Sequence, residues 1–98
     1  MNKSKGAELV EAPLRYYLYI LRGNKNHLYA GVTSNLDKRL LRHKSGNGAE
    51  FTKRNQAFEI VHTESFPTLL EARRRESQIK GWRREKKENL IKFGKPII

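Results

Sequence analysis

The sequence predicts a mixed α/β domain of the α+β type, a single layer of sheet with a few helices packed on it. Three observations lead there. Two tyrosine-rich apolar runs, Tyr16 to Leu21 and Leu28 to Thr33, flank Arg22-Gly23-Asn24-Lys25-Asn26-His27 and read as a β-hairpin, since Tyr, Ile and Val suit a half-buried pleat and Gly and Asn suit a turn. A third run, Phe58 to Phe66, has strand composition, and the remaining segments carry helical spacing between recognisable start and stop residues. A chain of 98 residues has enough material for one core and leaves a large share of its surface exposed.

Taken in order, Met1 to Pro13 lacks sustained periodicity and reads, with Leu14, as a flexible leader (residues 1–14) before a single domain over 15–93 and a short tail over 94–98. Strand alternation places Tyr17, Tyr19 and Leu21 on one face of the first strand and Tyr16, Leu18 and Ile20 on the other. In the second, Tyr29, Gly31 and Thr33 share a face, and Gly31 permits close approach of another backbone or a ligand. Ser34-Asn35-Leu36-Asp37 has the polar residues and early acid of a helix start, predicting a helix from about Leu36 to Ser45 with Leu36, Leu40 and His43 in one stripe and Arg39 at its edge. Arg39 and His43 are i, i+4 neighbours. Residues 46 to 56, with Lys53-Arg54-Asn55, read as a mobile basic loop. In the third strand Phe58, Ile60, His62 and Phe66 are expected on one face, and Pro67 ends it. Thr68 and Glu71 form a capping box for a helix that stops at Gly81. A further helix, Trp82 to Phe93, closes at Gly94, with Trp82, Leu90 and Phe93 as its packing residues.

The charge narrows the function. The formal net charge is +11, and because Lys3 and Lys5 are balanced by Glu8 and Glu11, the excess belongs to the folded part. Such a surface concentrates polyanions and points to nucleic acid. There is no cysteine, which excludes disulfides, thiolate catalysis and thiolate zinc sites and fits a reducing cytoplasm. No apolar run approaches a membrane span, so no membrane partner is expected. Gly-rich phosphate loops, zinc-protease motifs and a serine elbow are all missing, and His27, His43 and His62 lack metal-ligand spacing.

Glu76 is the most telling single residue. Leu69, Ala72, Glu76 and Ile79 step +3, +4, +3 and put a carboxylate on the inward stripe of its helix, where it needs an arginine, a hydrogen-bond donor or a metal ion. A salt bridge to a core-edge arginine is the plainer explanation. Tyr17, Tyr19 and Tyr29 are explicable as core aromatics with wetted hydroxyls. A phenol that accepts protons near neutrality needs positive charge beside it, which Arg39 would supply while gripping a phosphate. The arginines at 73 to 75 and 83 to 84 read as solvated or phosphate-facing surface.

Tyr17-Leu18-Tyr19, then Tyr29-Ala30-Gly31, then Arg39 with His43, then Glu76 on a helix: this ordered set resembles the GIY-YIG nuclease superfamily, in particular its small single-domain bacterial YhbQ-like group, over about Arg15 to Phe93. The resemblance implies a three-stranded antiparallel sheet flanked by helices and a metal-dependent DNA endonuclease site. Glu76 would hold one divalent ion, Mg or Mn, and Arg39 the scissile phosphate. Tyr29 would be the leading candidate to orient or deprotonate water, with Tyr19 as partner or rival, and His43 would assist. Asn89 resembles a polar residue found late in some members. The nucleic-acid-binding set comprises Arg39, Lys53, Arg54, Arg73, Arg74, Arg83, Arg84 and Asn89. Tyr17, Leu18 and Ala30 depart from the tripeptides that name the family, while the tyrosines that would act are kept. With no room for a second domain of ordinary size, cleavage directed by DNA structure, in repair or recombination, is expected rather than sequence reading. The rival is a non-catalytic nucleic-acid-binding module on the same fold. No small-molecule cofactor is implied.

Overall fold

The computed structural model describes residues 14–44 and 58–95, with the side chains of 41–44 outside the description. Three strands and three helices follow in the order β1 (Tyr16–Gly23), β2 (Leu28–Thr33), α1 (Leu36–Lys44), β3 (Phe58–Phe66), α2 (Leu69–Lys80) and α3 (Arg84–Phe93). The sheet is antiparallel throughout, in the order β2-β1-β3. The expected leader and the basic loop lie outside the described residues, except that Leu14 is an exposed residue before β1.

The hairpin forms as its composition dictates. Asn26 takes the left-handed φ of 69° that closes the turn, a conformation asparagine tolerates well, and its N–H donates to the Gly23 carbonyl at 2.8 Å. Register then pairs Tyr17 with Thr33, Tyr19 with Gly31 and Leu21 with Tyr29 on one face, and Leu18 with Val32 and Ile20 with Ala30 on the other. Both faces of β1 are covered. Leu18, Tyr19, Ile20 and Leu21 are each no more than 1% exposed.

On the second face, Leu18, Ile20 and Ala30 meet Ile79 of α2 and Leu90 of α3, with Val61, Phe66 and Trp82 packed around them. On the first, Leu36 and Leu40 of α1 close over Tyr19, Leu21 and Ile60. The sheet thus lies between one helix and a pair of helices.

Helix ends follow local chemistry. Asn35 caps α1, its Oδ1 accepting from the Lys38 N–H at 3.0 Å. Thr68 caps α2, accepting from the Glu71 N–H at 3.2 Å while its hydroxyl donates to the Glu71 carboxylate at 2.8 Å. Gly81 terminates that helix as expected, and Gly94, at φ 79°, terminates α3 with its N–H on the Leu90 carbonyl.

Three expectations are corrected. The pairing of β3 with β1 shifts between Ile20 and Leu21, so Ile60 lies opposite Leu21 while His62 lies opposite Ile20. A bulge re-aims side chains, and Phe58, Ile60, His62 and Phe66 therefore do not share one face. The last helix begins at Arg84 rather than Trp82. Trp82 sits in the connection, where it still packs on the core between the cations of Arg75, 5.1 Å from its ring centroid, and Lys86, 4.5 Å away. Phe93 is 51% exposed, since it stands in the last turn of α3, at the helix end closed by the αL cap at Gly94, where the core cluster around Leu90 does not reach.

Two ionic ties hold helices to the sheet. Glu64 on β3 accepts from Arg75 of α2 at 2.8 and 3.2 Å and lies 2.8 Å from His62 Nε2. Burial pushes its carboxyl up, but the hydrogen bonds from Arg75 and His62 outweigh this and hold it below the usual range. Arg75 is accordingly sequestered, not phosphate-facing. Glu88 on α3 accepts a forked pair from Arg22 of β1 at 2.7 and 2.9 Å and a third bond from Arg84 at 2.8 Å. Arg84 also donates to the Asn26 carbonyl, which fastens the hairpin turn to α3 and adds a structural role to the solvated one expected, its side chain being 46% exposed.

The Arg22 hydrogen bonds hold the Glu88 carboxyl down to about 2, so its contribution to stability is complete above the ordinary carboxylate range and is lost as pH falls through about 2. Because the pair is partly solvated, Glu88→Gln is expected to cost about 1 kcal/mol at pH 7. Urea denaturation checks this, with the gap between variant and wild type narrowing toward pH 2.

Candidate active site

The site starts from a packing problem in β1. Alternation puts Tyr19 on the same face as Leu21, and the α1 contacts cover it to 1% exposure, so its hydroxyl needs both room and a partner. Gly31 supplies the room. A Cβ at that position would stand 2.5 Å from the Tyr19 Oη and 2.7 Å from its Cζ, closer than carbon atoms approach in folded proteins. The close approach expected at Gly31 is thus made by the phenol of the neighbouring strand.

Arg39 is the partner. It projects from α1, half-buried beside Leu36 and Leu40, and its guanidinium hydrogen-bonds Tyr19. Tyr29 stands alongside, its ring centroid 6.4 Å from that of Tyr19 with 46° between the planes. Glu76 enters from α2. Although that helix packs against the opposite face of the sheet, its carboxylate is near enough to act on the Tyr19 hydroxyl through space.

The local electrostatics follow. Burial pushes the Tyr19 hydroxyl up to about 12, and Tyr29 and the negative charge of Glu76 add to the rise. Arg39 pulls the other way by charge and by hydrogen bond, without prevailing. Burial thus favours the protonated phenol at Tyr19, with Arg39 as its hydrogen-bond partner.

Glu76 is half-buried as its stripe position requires, with 22% of the side chain exposed. Among the described residues no arginine fills the plain structural role expected for its partner. Lys80, one turn on and 54% exposed, lies 2.9 Å from Oε2, a solvated i, i+4 pair of small net worth. Among the described residues no group of three or more His, Cys, Asp or Glu could hold a metal ion. A lone carboxylate with a displaceable lysine fits a hard divalent ion that keeps most of its water, as Mg²⁺ does, and does not fit zinc.

His43 lies on α1 one turn beyond Arg39, with its side chain outside the described residues, as are Lys53 and Arg54 altogether. Arg73, Arg74 and Arg83 are exposed, and Asn89 is half-buried on α3. Lys80 and Lys87 were not singled out from the sequence. Lys80 stands four residues after Glu76, the spacing of a helical ion pair, and that signal was available.

Comparison with known proteins bears on the family and the fold. A family model described as the GIY-YIG catalytic domain matches residues 15–89. A UPF0213 protein of Staphylococcus saprophyticus is 38% identical over 80 residues, covering 82% of this chain and 98% of its own. The solution NMR structure of a UPF0213 protein from Bacillus halodurans superposes with a TM-score of 0.53 at 38% identity, over 80% of this chain and 83% of that one. A second solution NMR structure, from E. faecalis, gives a TM-score of 0.58 at 36% identity with the same coverage.

Two outcomes follow from the Tyr19 environment. Gly31→Ala is expected to lower stability by about 1 to 3 kcal/mol, because a buried ring cannot swing clear of the new methyl; thermal or urea unfolding measures it. Alkaline absorbance titration should show a tyrosinate step near pH 12 that Tyr19→Phe removes. Since the fold favours the neutral phenol, stability from this group is complete below about pH 10 and is lost as pH rises through about 12.

Proposed function

Because the chain belongs to the GIY-YIG catalytic domain family, whose nuclease-like fold it shares, we propose that it is a divalent-metal-dependent endonuclease that hydrolyses phosphodiester bonds in DNA. The observation that carries this reading is the meeting of one arginine, one carboxylate and two phenols around Tyr19. Each can be given a part.

Arg39 grips the scissile phosphate, its planar fork suited to two oxygens and to the charge that grows on them during attack. Tyr19 is a positioning residue. Its hydroxyl, kept protonated by burial, fixes the guanidinium, and so lies outside the proton path. Tyr29, half-buried on the edge strand, takes the proton of the attacking water as a bond forms from that oxygen to phosphorus and the bond to the leaving sugar oxygen breaks. In taking that proton Tyr29 gives up its own hydroxyl proton to solvent, and the leaving oxygen takes one from water, so the tyrosine ends each turnover as it began. His43, one turn from Arg39, assists the base. Glu76 would hold the metal ion, Mg or Mn, which when bound polarises a phosphate oxygen and eases departure of the leaving group. In this reading Arg73, Arg74 and Arg83, exposed on and beside α2 and α3, hold flanking phosphates together with Lys53, Arg54 and Asn89. Arg84 keeps only a minor share, given its bonds to Glu88 and Asn26. The natural role is processing of flapped or branched DNA in repair or recombination, in the cytoplasm.

Incubation with flapped, branched and linear duplex DNA in Mg²⁺ or Mn²⁺ tests this. Wild type should cut. Arg39→Ala and Glu76→Ala should each lose about 100-fold or more in rate while still binding DNA, and binding should weaken steeply with salt. Wild-type protein that binds as the variants do and cuts nothing would leave the alternative, a binding module that kept the fold without turnover.

A further inference from the structure

A cavity of about 230 Å³ opens between the edge strand β2 and the ends of α2 and α3. Of its lining, the proposed chemistry draws a reacting group only from Tyr29. Ile20, Leu28, Ala30 and Ile79 make its floor, and Tyr29 lines it from the edge strand, so it adjoins the candidate active site. Its charged lining is Lys80 and Lys87, brought from two different helices. Lys87 is half-buried and enters no ion pair among the described residues. Among the described residues, Lys80 forms an ion pair only with Glu76, and that pair is solvated.

An apolar floor with two converging ammonium groups suits a ligand with one flat apolar part and one anionic part. The cavity is smaller than the roughly 300 to 1,000 Å³ typical of pockets for drug-sized ligands, so it suits a single nucleotide unit. We propose that it holds one unpaired nucleotide of the strand being cut, with the base against Leu28 and the ring of Tyr29, above the buried Ala30 and Ile79, and the phosphate between Lys80 and Lys87. Assigning that nucleotide to a strand under attack rests on the nuclease reading above.

Two consequences follow from the lining. The polar atoms of the lining are those of Tyr29 and the two lysines, and with both lysines on the phosphate little is left to read a base edge, so the subsite accepts any base face. A base stacked within a duplex cannot enter, which favours flaps, frayed ends and branch points. Recruitment of Lys80 to a phosphate also takes it away from Glu76, which frees that carboxylate when a suitable strand is in place.

Amide chemical-shift mapping of the full chain without metal tests the subsite, using thymidine 5′-monophosphate, inorganic phosphate and thymidine as separate probes. The nucleotide should shift Leu28, Ala30, Ile79, Lys80 and Lys87 at lower concentration than either fragment. Lys87→Gln and Lys87→Glu, with spectra confirming that each folds, should weaken that binding about tenfold or more. Equal effects of phosphate and nucleotide, shifts centred on Arg73 and Arg74, or Lys87 variants that bind as wild type does would overturn the proposal. The parallel cleavage assay keeps the two readings apart. Nucleotide mapping here with no cleavage of any DNA removes the nuclease reading and leaves the subsite, whereas cleavage without mapping removes the subsite alone.

Discussion

The structure depends on a strand that is buried on both faces. Leu18, Tyr19, Ile20 and Leu21 in the middle of β1 are all but inaccessible, and side-chain alternation means that each face needs its own cover. That requirement places α1 on one side and α2 with α3 on the other. One of the four buried residues carries a hydroxyl, and a buried hydroxyl without a partner costs on the order of 1 to 3 kcal/mol. Arg39 meets that need, and Gly31 gives the ring a place to lie. The packing of the central strand and the assembly of the candidate site are thus one event.

Charge is distributed to match. Away from the site, Glu64 and Glu88 hold Arg75, Arg22 and Arg84 in forked or multiple hydrogen bonds that fasten helices to the sheet. Those arginines are committed to structure. Glu76 is treated differently, since its partner among the described residues is a solvated lysine rather than a clamped arginine. A carboxylate so loosely neutralised can exchange its cation at little cost, which is what a site for a divalent ion beside a phosphate calls for. No helix among the described residues is long and apolar enough to cross a membrane, and the net charge of +11 remains the dominant long-range feature of the chain.

Much of the fold was legible in the residues because it rests on local rules. The hairpin faces follow from a period of two, the α2 start from Thr68 and Glu71, and the helix ends from Gly81 and Gly94. The inward carboxylate of Glu76 followed from the spacing of its neighbours. What was not legible depends on contacts between distant segments. A register shift opposite Ile20 and Leu21 leaves no mark within β3, so the faces of Phe58 and Ile60 against His62 and Phe66 could not be told from alternation. Trp82 keeps its packing position without being helical, because Gly81 and the connection set its direction. Nor does sequence spacing reveal that the Tyr19 ring crosses Gly31, or that Glu64 captures Arg75 out of an exposed-looking run of arginines.

The central claim is that Glu76, Arg39 and the two tyrosines form one metal-assisted phosphodiesterase site at the edge of the sheet. Paramagnetic broadening by Mn²⁺ in the amide spectrum of the isotope-labelled protein addresses it most directly. Broadening should centre on Glu76 and on Tyr29, Gly31 and Arg39 around it, and Glu76→Gln should abolish it. Broadening centred elsewhere in the molecule, or unchanged in Glu76→Gln, would contradict the claim.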